Sequence, residues 1–266
     1  MEFLKKLRVF NGNGLKLLAA AFMLVDHMGM MLFPDLLWMR IVGRFSMPLF
    51  AFMIAEGCRY TKNKVKHFSL LFGLGALCQI VYIVFDPTTI YLGILITFSL
   101  STLIIYAMQY AKKCTFEEEA KTDKKILAWG LVLLLVALSY LLTRLVAVDY
   151  GFWGIMMPVF ASVFDFHRIP APDSWKKLDC LPIKILCMLV AEVFLILTCQ
   201  SPLFLPLSGG FFIDPHIQSI ALCAFPLLLL YNGEKGKANL KYFFYIFYPL
   251  HLGVLQGIVF LLYLLA

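Results

Sequence analysis

Residues 15–33 read Leu15-Lys16-Leu17-Leu18-Ala19-Ala20-Ala21-Phe22-Met23-Leu24-Val25-Asp26-His27-Met28-Gly29-Met30-Met31-Leu32-Phe33. This run is close to the roughly 20 residues that a helix needs to cross a bilayer. It is too long for the core of a secretory signal, and no small-x-small cleavage site closes it. It reads as a retained first membrane helix. Eight more apolar stretches follow, near 38–57, 67–85, 90–111, 126–147, 151–167, 183–200, 215–231 and 242–264. The sixth and eighth are short, as tilted or re-entrant segments are. The Pro- and Gly-rich stretch 201–214 has room for a tenth half-span. The expected fold is all-α: a polytopic bundle of nine or ten transmembrane helices, forming a single integral membrane domain over residues 1–266.

Composition agrees. Of 266 residues, 62% are hydrophobic and 15% charged, against roughly 45–50% and 25% in soluble domains. Mean hydropathy is +0.86. A soluble fold of this size has no way to hide that apolar surface, whereas lipid accepts it. A disordered chain, a disulfide scaffold and an ordinary soluble enzyme are excluded. The seven cysteines form no CxxC pair and read as small packing residues.

The net charge of +7 is explained by placement. All but Arg40, Arg44 and Arg144 of the 23 basic residues fall in the N-terminal segment or in the 2–3, 4–5, 6–7 and 8–9 connections. That alternation is the positive-inside pattern. It predicts an inside N-terminus, an outside C-terminus and no nucleic-acid partner.

A charge inside a span costs roughly 2.5–3.5 kcal/mol or more, so those that remain are site candidates. In span 1, Lys16 and His27 are eleven residues apart, which puts them on one helix face about 16 Å apart along the axis. Asp26 lies about 100° round from His27, placed to pair with an arginine of span 2. A neutral histidine there serves as general base or acid, as a metal ligand, or as a hydrogen-bonding partner of another helix. No metal is expected, because the only other histidine deep inside a span is His251, with no carboxylate at ligand spacing. In span 2, Arg40 and Arg44 are one turn apart, Gly43 permits close helix approach, and Pro48 frees a backbone carbonyl. Arg40 also has the option of reaching the outer headgroups. Glu56 stands near the inner surface. Asp149 and Tyr150, before Gly151, mark an outer turn. Span 9 kinks at Pro249, and His251 sits near mid-bilayer depth. Ahead of it Asn232-Gly233-Glu234-Lys235-Gly236-Lys237 is a cytoplasmic Gly-rich turn, offering N–H groups and lysines to an anion such as phosphate.

Together these motifs resemble the TraX family, named for the conjugal-transfer protein that N-acetylates pilin. The resemblance rests on Leu15-Lys16, Met23-Leu24-Val25-Asp26-His27, Gly43-Arg44 with Pro48-Leu49-Phe50-Ala51-Phe52, Glu56-Gly57 and Tyr60-Thr61-Lys62-Asn63. It continues through Asp149-Tyr150-Gly151, Tyr231-Asn232-Gly233-Glu234-Lys235-Gly236 and Phe247-Tyr248-Pro249-Leu250-His251-Leu252. The chain departs from the family pattern at Ser69-Leu70, where Arg-Leu is expected, and at Val81, where a proline is expected. The family is similar to the acyltransferase type 3 group, which shares a basic residue, ten intervening residues and a histidine in its first helix.

The resemblance implies a multi-pass protein of the bacterial cytoplasmic membrane. It implies an acyl-CoA donor, acetyl-CoA above all, loaded from the cytoplasm. The acyl group would pass to an amine or hydroxyl of a pilin-like peptide or envelope glycan at the outer face. His27 is then the leading catalytic candidate, with Asp26 or His251 setting its tautomer and Arg44 stabilising an oxyanion. Lys16, Asn232, Gly233, Lys235 and Lys237 would hold coenzyme A. Arg40, Glu56, Asp149 and Tyr150 would meet the acceptor. A transporter and a non-catalytic partner in conjugation or envelope assembly stay open beside this reading.

Overall fold

A computed structural model describes residues 8–85, 91–117, 121–206 and 213–265. Lys5, Lys6 and residues 207–212 of the 201–214 stretch lie outside them. The described residues are predominantly helical. The helices are α1 (Gly12–Met31), α2 (Leu37–Gly43), α3 (Ser46–Tyr60), α4 (Lys64–Phe85), α5 (Ile94–Phe116), α6 (Thr122–Leu145), α7 (Gly151–Ala161), α8 (Asp173–Lys176), α9 (Leu181–Thr198), α10 (Pro215–Ser219), α11 (Phe225–Leu229) and α12 (Lys241–Leu265).

Among the described residues, seven helical segments are long and apolar enough to cross a membrane: Gly12–Met31, Leu37–Tyr60, Lys64–Val84, Ile94–Phe116, Thr122–Leu145, Leu181–Thr198 and Tyr242–Leu265. Two shorter apolar segments, Gly151–Ala161 and Pro215–Leu229, occupy the sixth and eighth expected positions. The second span is broken rather than continuous. α2 ends at Gly43, and the N–H groups of Arg44 and Phe45 bond the carbonyls of Ile41 and Val42, three residues back. Pro48 is the third residue of α3 and lacks the N–H that would have bonded Arg44 in a continuous helix. In the first turn of a new helix that loss costs nothing.

The outward surface is apolar and the interior carries polar groups. Leu127, Leu133 and Leu138 of α6 are exposed, as are Leu261 and Leu264 of α12, while Thr97, Ser101, Thr102, Glu192 and Gln218 are wholly buried. Large apolar side chains on the outside, with polar groups among those inside, suit helices whose solvent is lipid.

The chain forms two compact units. The first draws on Met1–Met53, Gly73–Ile90 and Asp214–Ala266. In it α1 packs on α2 and α12, with Leu15, Leu49, Phe52 and Leu228 at its core. α1 and α2 approach closely at Gly29, where a Cβ would stand 2.6 Å from that of Met39. The second unit draws on Ile54–Phe72 and Tyr91–Ile213. There α5 packs on α6 and α7, and α7 on α9, around Ile104, Ile105 and Ile155. Ser101 Oγ donates to the Ile155 carbonyl at 2.7 Å, a polar tie between close-packed helices. A short parallel pairing of Tyr91–Leu92 with Ala147–Val148 leads into the Asp149 turn.

Candidate active site

In the first unit α1 carries the expected face. Asn11 caps the helix, its side-chain oxygen accepting from the Gly14 N–H at 2.9 Å. The N–H groups of Gly12 and Asn13 donate to the carbonyls of Glu234 and Lys235 at 2.7 and 3.1 Å. The Asn13 amide donates to Ala238. The 231–238 turn is therefore clamped over the start of α1. Gly236 takes φ +92°, and a Cβ there would meet Asn11 and Asn13.

This clamp alters the expected anion reading. The first two N–H groups of α1 are satisfied by the turn's carbonyls and the third by the Asn11 side chain. Asn232 donates its N–H to Phe10 and uses its side-chain oxygen for the Glu234 N–H. Gly233 supplies a left-handed φ of +85°. The turn's exposed cations are Lys235 and Lys237. Lys235 is near enough to Lys16 for the two charges to repel, and Lys16 Nζ lies 6.0 Å from the centre of the Phe244 ring. Among the described residues, neither Lys16 nor Lys235 lies within ion-pair distance of a carboxylate.

Further along α1, His27 Nδ1 lies 2.8 Å from His251 Nε2 of α12. The two rings are parallel to within 1°. His251 is buried, and its Nδ1 lies 2.9 Å from the Phe247 carbonyl one turn earlier. Phe247 and Tyr248 flank its ring. His27 and His251 are 224 residues apart in sequence, and the fold makes them one unit.

Asp26 is a separate station. Arg40 Nη1 stands 2.8 Å from its Oδ2 and Arg44 Nη2 3.3 Å from its Oδ1. Arg40 also donates to the Asp26 carbonyl at 3.2 Å. The anticipated pairing with span 2 is present, and the carboxylate is held by both arginines. Gly43 makes it possible, because a Cβ at that position would run into the Asp26 side chain. Of the two groups expected to set the His27 tautomer, His251 makes the contact.

Glu56, Asp149 and Tyr150 belong to the second unit. Glu56 is buried in an ion pair with Lys184 Nζ at 2.9 Å. Lys184 also reaches Asp179 at 3.4 Å, and Arg59 joins Asp179 to Asp165. Lys112 donates to the carbonyls of Ser162 and Asp165 at 2.7 and 3.1 Å, at the end of α7. Sequence reasoning assigned Arg59, Lys112 and Lys184 to inner-surface charge. The available signal was the position of Lys112 and Lys184 at the very edges of apolar runs, where either burial or exposure fits. Asp149 is bound through its backbone, donating to Leu92 and accepting from Thr97 Oγ1 at 3.0 Å. Tyr150 takes φ +58°, which costs a non-glycine residue about 1–3 kcal/mol. It lines a small cavity with Thr143, Trp153, Thr198 and Phe204.

Outside the membrane segments, Asp179 titrates below the usual carboxylate range. Burial opposes its ionisation, but the Arg59 hydrogen bond, the Lys184 charge and the Phe166 N–H together outweigh it.

Comparison with known proteins finds a family match over most of the chain: the family described as TraX protein, over residues 11–259. A protein of Dichelobacter nodosus, described as probable fimbrial assembly protein FimC, serogroup H1, is 26% identical over 256 residues, covering 92% of this chain and 94% of its own. An uncharacterized protein of Rickettsia prowazekii (strain Madrid E), RP591, is 35% identical over 92 residues, or 35% of each chain. No solved structure matches.

Proposed function

The chain belongs to the TraX protein family, and from that premise we propose that it is a multi-pass acyltransferase of the bacterial cytoplasmic membrane. It moves an acetyl or other short acyl group from coenzyme A to an amine or hydroxyl acceptor presented at the outer face. The observation that carries this reading is the arrangement along α1. Two lysines from different elements, Lys16 and Lys235, converge at one end without a carboxylate partner among the described residues. An imidazole pair stands about 16 Å further along the same helix. A long anionic donor with its reactive carbonyl at the far end suits that spacing: phosphates at Lys16, Lys235 and Lys237, thioester at His27. The lysine end lies on the cytoplasmic side, with the N-terminus inside, as the distribution of basic residues supports.

His27 then takes the acceptor's proton as it attacks the thioester. The Asp26–Arg40–Arg44 group stands beside the reacting carbonyl, where its arginines supply positive potential for the developing oxyanion. The acceptor is a pilin-like peptide or an envelope glycan.

A second reading is a non-catalytic partner in filament or envelope assembly, which the description of the Dichelobacter relative as a probable fimbrial assembly protein favours. Proteoliposomes supplied with labelled acetyl-CoA and an envelope extract separate the two. The acyltransferase reading expects wild type to release coenzyme A and His27→Ala, matched for folding, to lose it. Lys16→Ala and Lys235→Ala should raise the KM for acetyl-CoA by about tenfold each, the worth of one hydrogen bond to a charged group. No release by wild type, with extract present, would leave the assembly reading.

A further inference from the structure

The hydrogen-bond chain through His251 identifies which atom of His27 is the base. A backbone carbonyl only accepts, so the 2.9 Å contact between His251 Nδ1 and Phe247 O requires a proton on Nδ1. A neutral His251 then presents an unprotonated Nε2. The 2.8 Å contact to His27 Nδ1 must be filled by a proton on His27. That leaves the lone pair of a neutral His27 on Nε2, which meets no hydrogen-bonding partner among the described residues. Asp26 cannot set this order, since its carboxylate is turned to Arg40 and Arg44.

We propose that His251 is a positioning residue that locks His27 in the Nδ1–H tautomer, so that Nε2 of His27 is the atom that moves the proton in acyl transfer. The inference rests on the acyltransferase reading above. In the forward step the acceptor X–H gives its proton to His27 Nε2 while X bonds to the thioester carbonyl. As the tetrahedral intermediate collapses, the C–S bond breaks and the departing thiolate takes that proton back from Nε2. The products are acyl-X and coenzyme A thiol, and His27 returns to its starting form. While His27 is an imidazolium, its Nδ1–H still donates to His251 Nε2, and His251 Nδ1–H to Phe247 O. The two rings, parallel to within 1° with their centres 5.0 Å apart, need no reorientation for this.

Two measurements test this. In histidine-15N-labelled wild type reconstituted in lipid, the His27 resonances, identified by their loss in His27→Ala, should show a protonated Nδ1 and an unprotonated Nε2. A proton on Nε2 of neutral His27 overturns the proposal whatever the enzyme does. In the coenzyme A release assay, His251→Ala should lower kcat by about 10²-fold, the lower end of a general-base contribution, with the KM for acetyl-CoA within about twofold. His251→Gln, whose amide oxygen still accepts from His27 Nδ1–H, should recover most of that loss at equal thermal stability. Equal activity of wild type and His251→Ala, or no recovery by a folded His251→Gln, overturns it. Failure of wild type to release coenzyme A sinks the acyltransferase reading itself, a result distinct from either.

Discussion

Two single positions carry most of the local argument. Gly43 is where a side chain has no room, because Asp26 and its two arginines occupy the space a Cβ would need. Gly43→Ala should push Asp26 off Arg40 and Arg44, lowering stability by about 1–3 kcal/mol, as overpacking does. A fall in the thermal midpoint in detergent, together with reduced acyl transfer, checks it. Asp179 carries the acid response of the second unit. Its folded carboxyl titrates lower than in the unfolded chain, so its contribution to stability is complete above the unfolded value. It is lost as pH falls below about 4 through the folded value. Asp179→Asn should be less stable than wild type at pH 7, and the gap should narrow on acidification over that range. Parallel loss at every pH would contradict this.

At the scale of elements, each unit is tied by contacts between distant segments. The Glu56–Lys184 pair joins α3 to α9, with both side chains buried. Removing one partner leaves a buried charge with less compensation, at a cost of up to about 3–5 kcal/mol, whereas replacing both is milder. Glu56→Gln and Lys184→Met should therefore each destabilise strongly, and the double variant should regain much of the loss in a thermal scan. In the first unit the 231–238 turn closes the start of α1. Gly236→Ala meets both a positive φ and the Asn11 and Asn13 side chains. It should loosen the turn, raise hydrogen exchange at the Gly12 and Asn13 amides, and weaken acyl-CoA binding by moving Lys235.

For the whole molecule, the charge distribution makes a prediction that a bilayer checks. Single cysteines in a cysteine-free background, placed at Lys121 and Lys177, should label only from the cytoplasmic side, and one at Asp149 only from outside. The reverse pattern would put the lysine end of α1 on the wrong face for a cytoplasmic donor. Much of this architecture was legible in the chain itself. Membrane spans are written in runs of apolar residues, because lipid leaves the backbone no partner but its own helix. The shared face of Lys16 and His27 follows from helical periodicity, and the short sixth and eighth segments show in their length. The break between α2 and α3 was half legible: Pro48 announced a freed carbonyl, not a new helix start. What the tertiary structure alone decided is which polar groups meet. Glu56 is drawn into an ion pair with Lys184, and Asp26 is claimed by two arginines. His251, 224 residues from His27, becomes its hydrogen-bond partner. The reason is physical: hydrophobicity and periodicity are properties of a segment, whereas a buried charge or imidazole is satisfied only by a particular partner at hydrogen-bond distance, and folding chooses that partner.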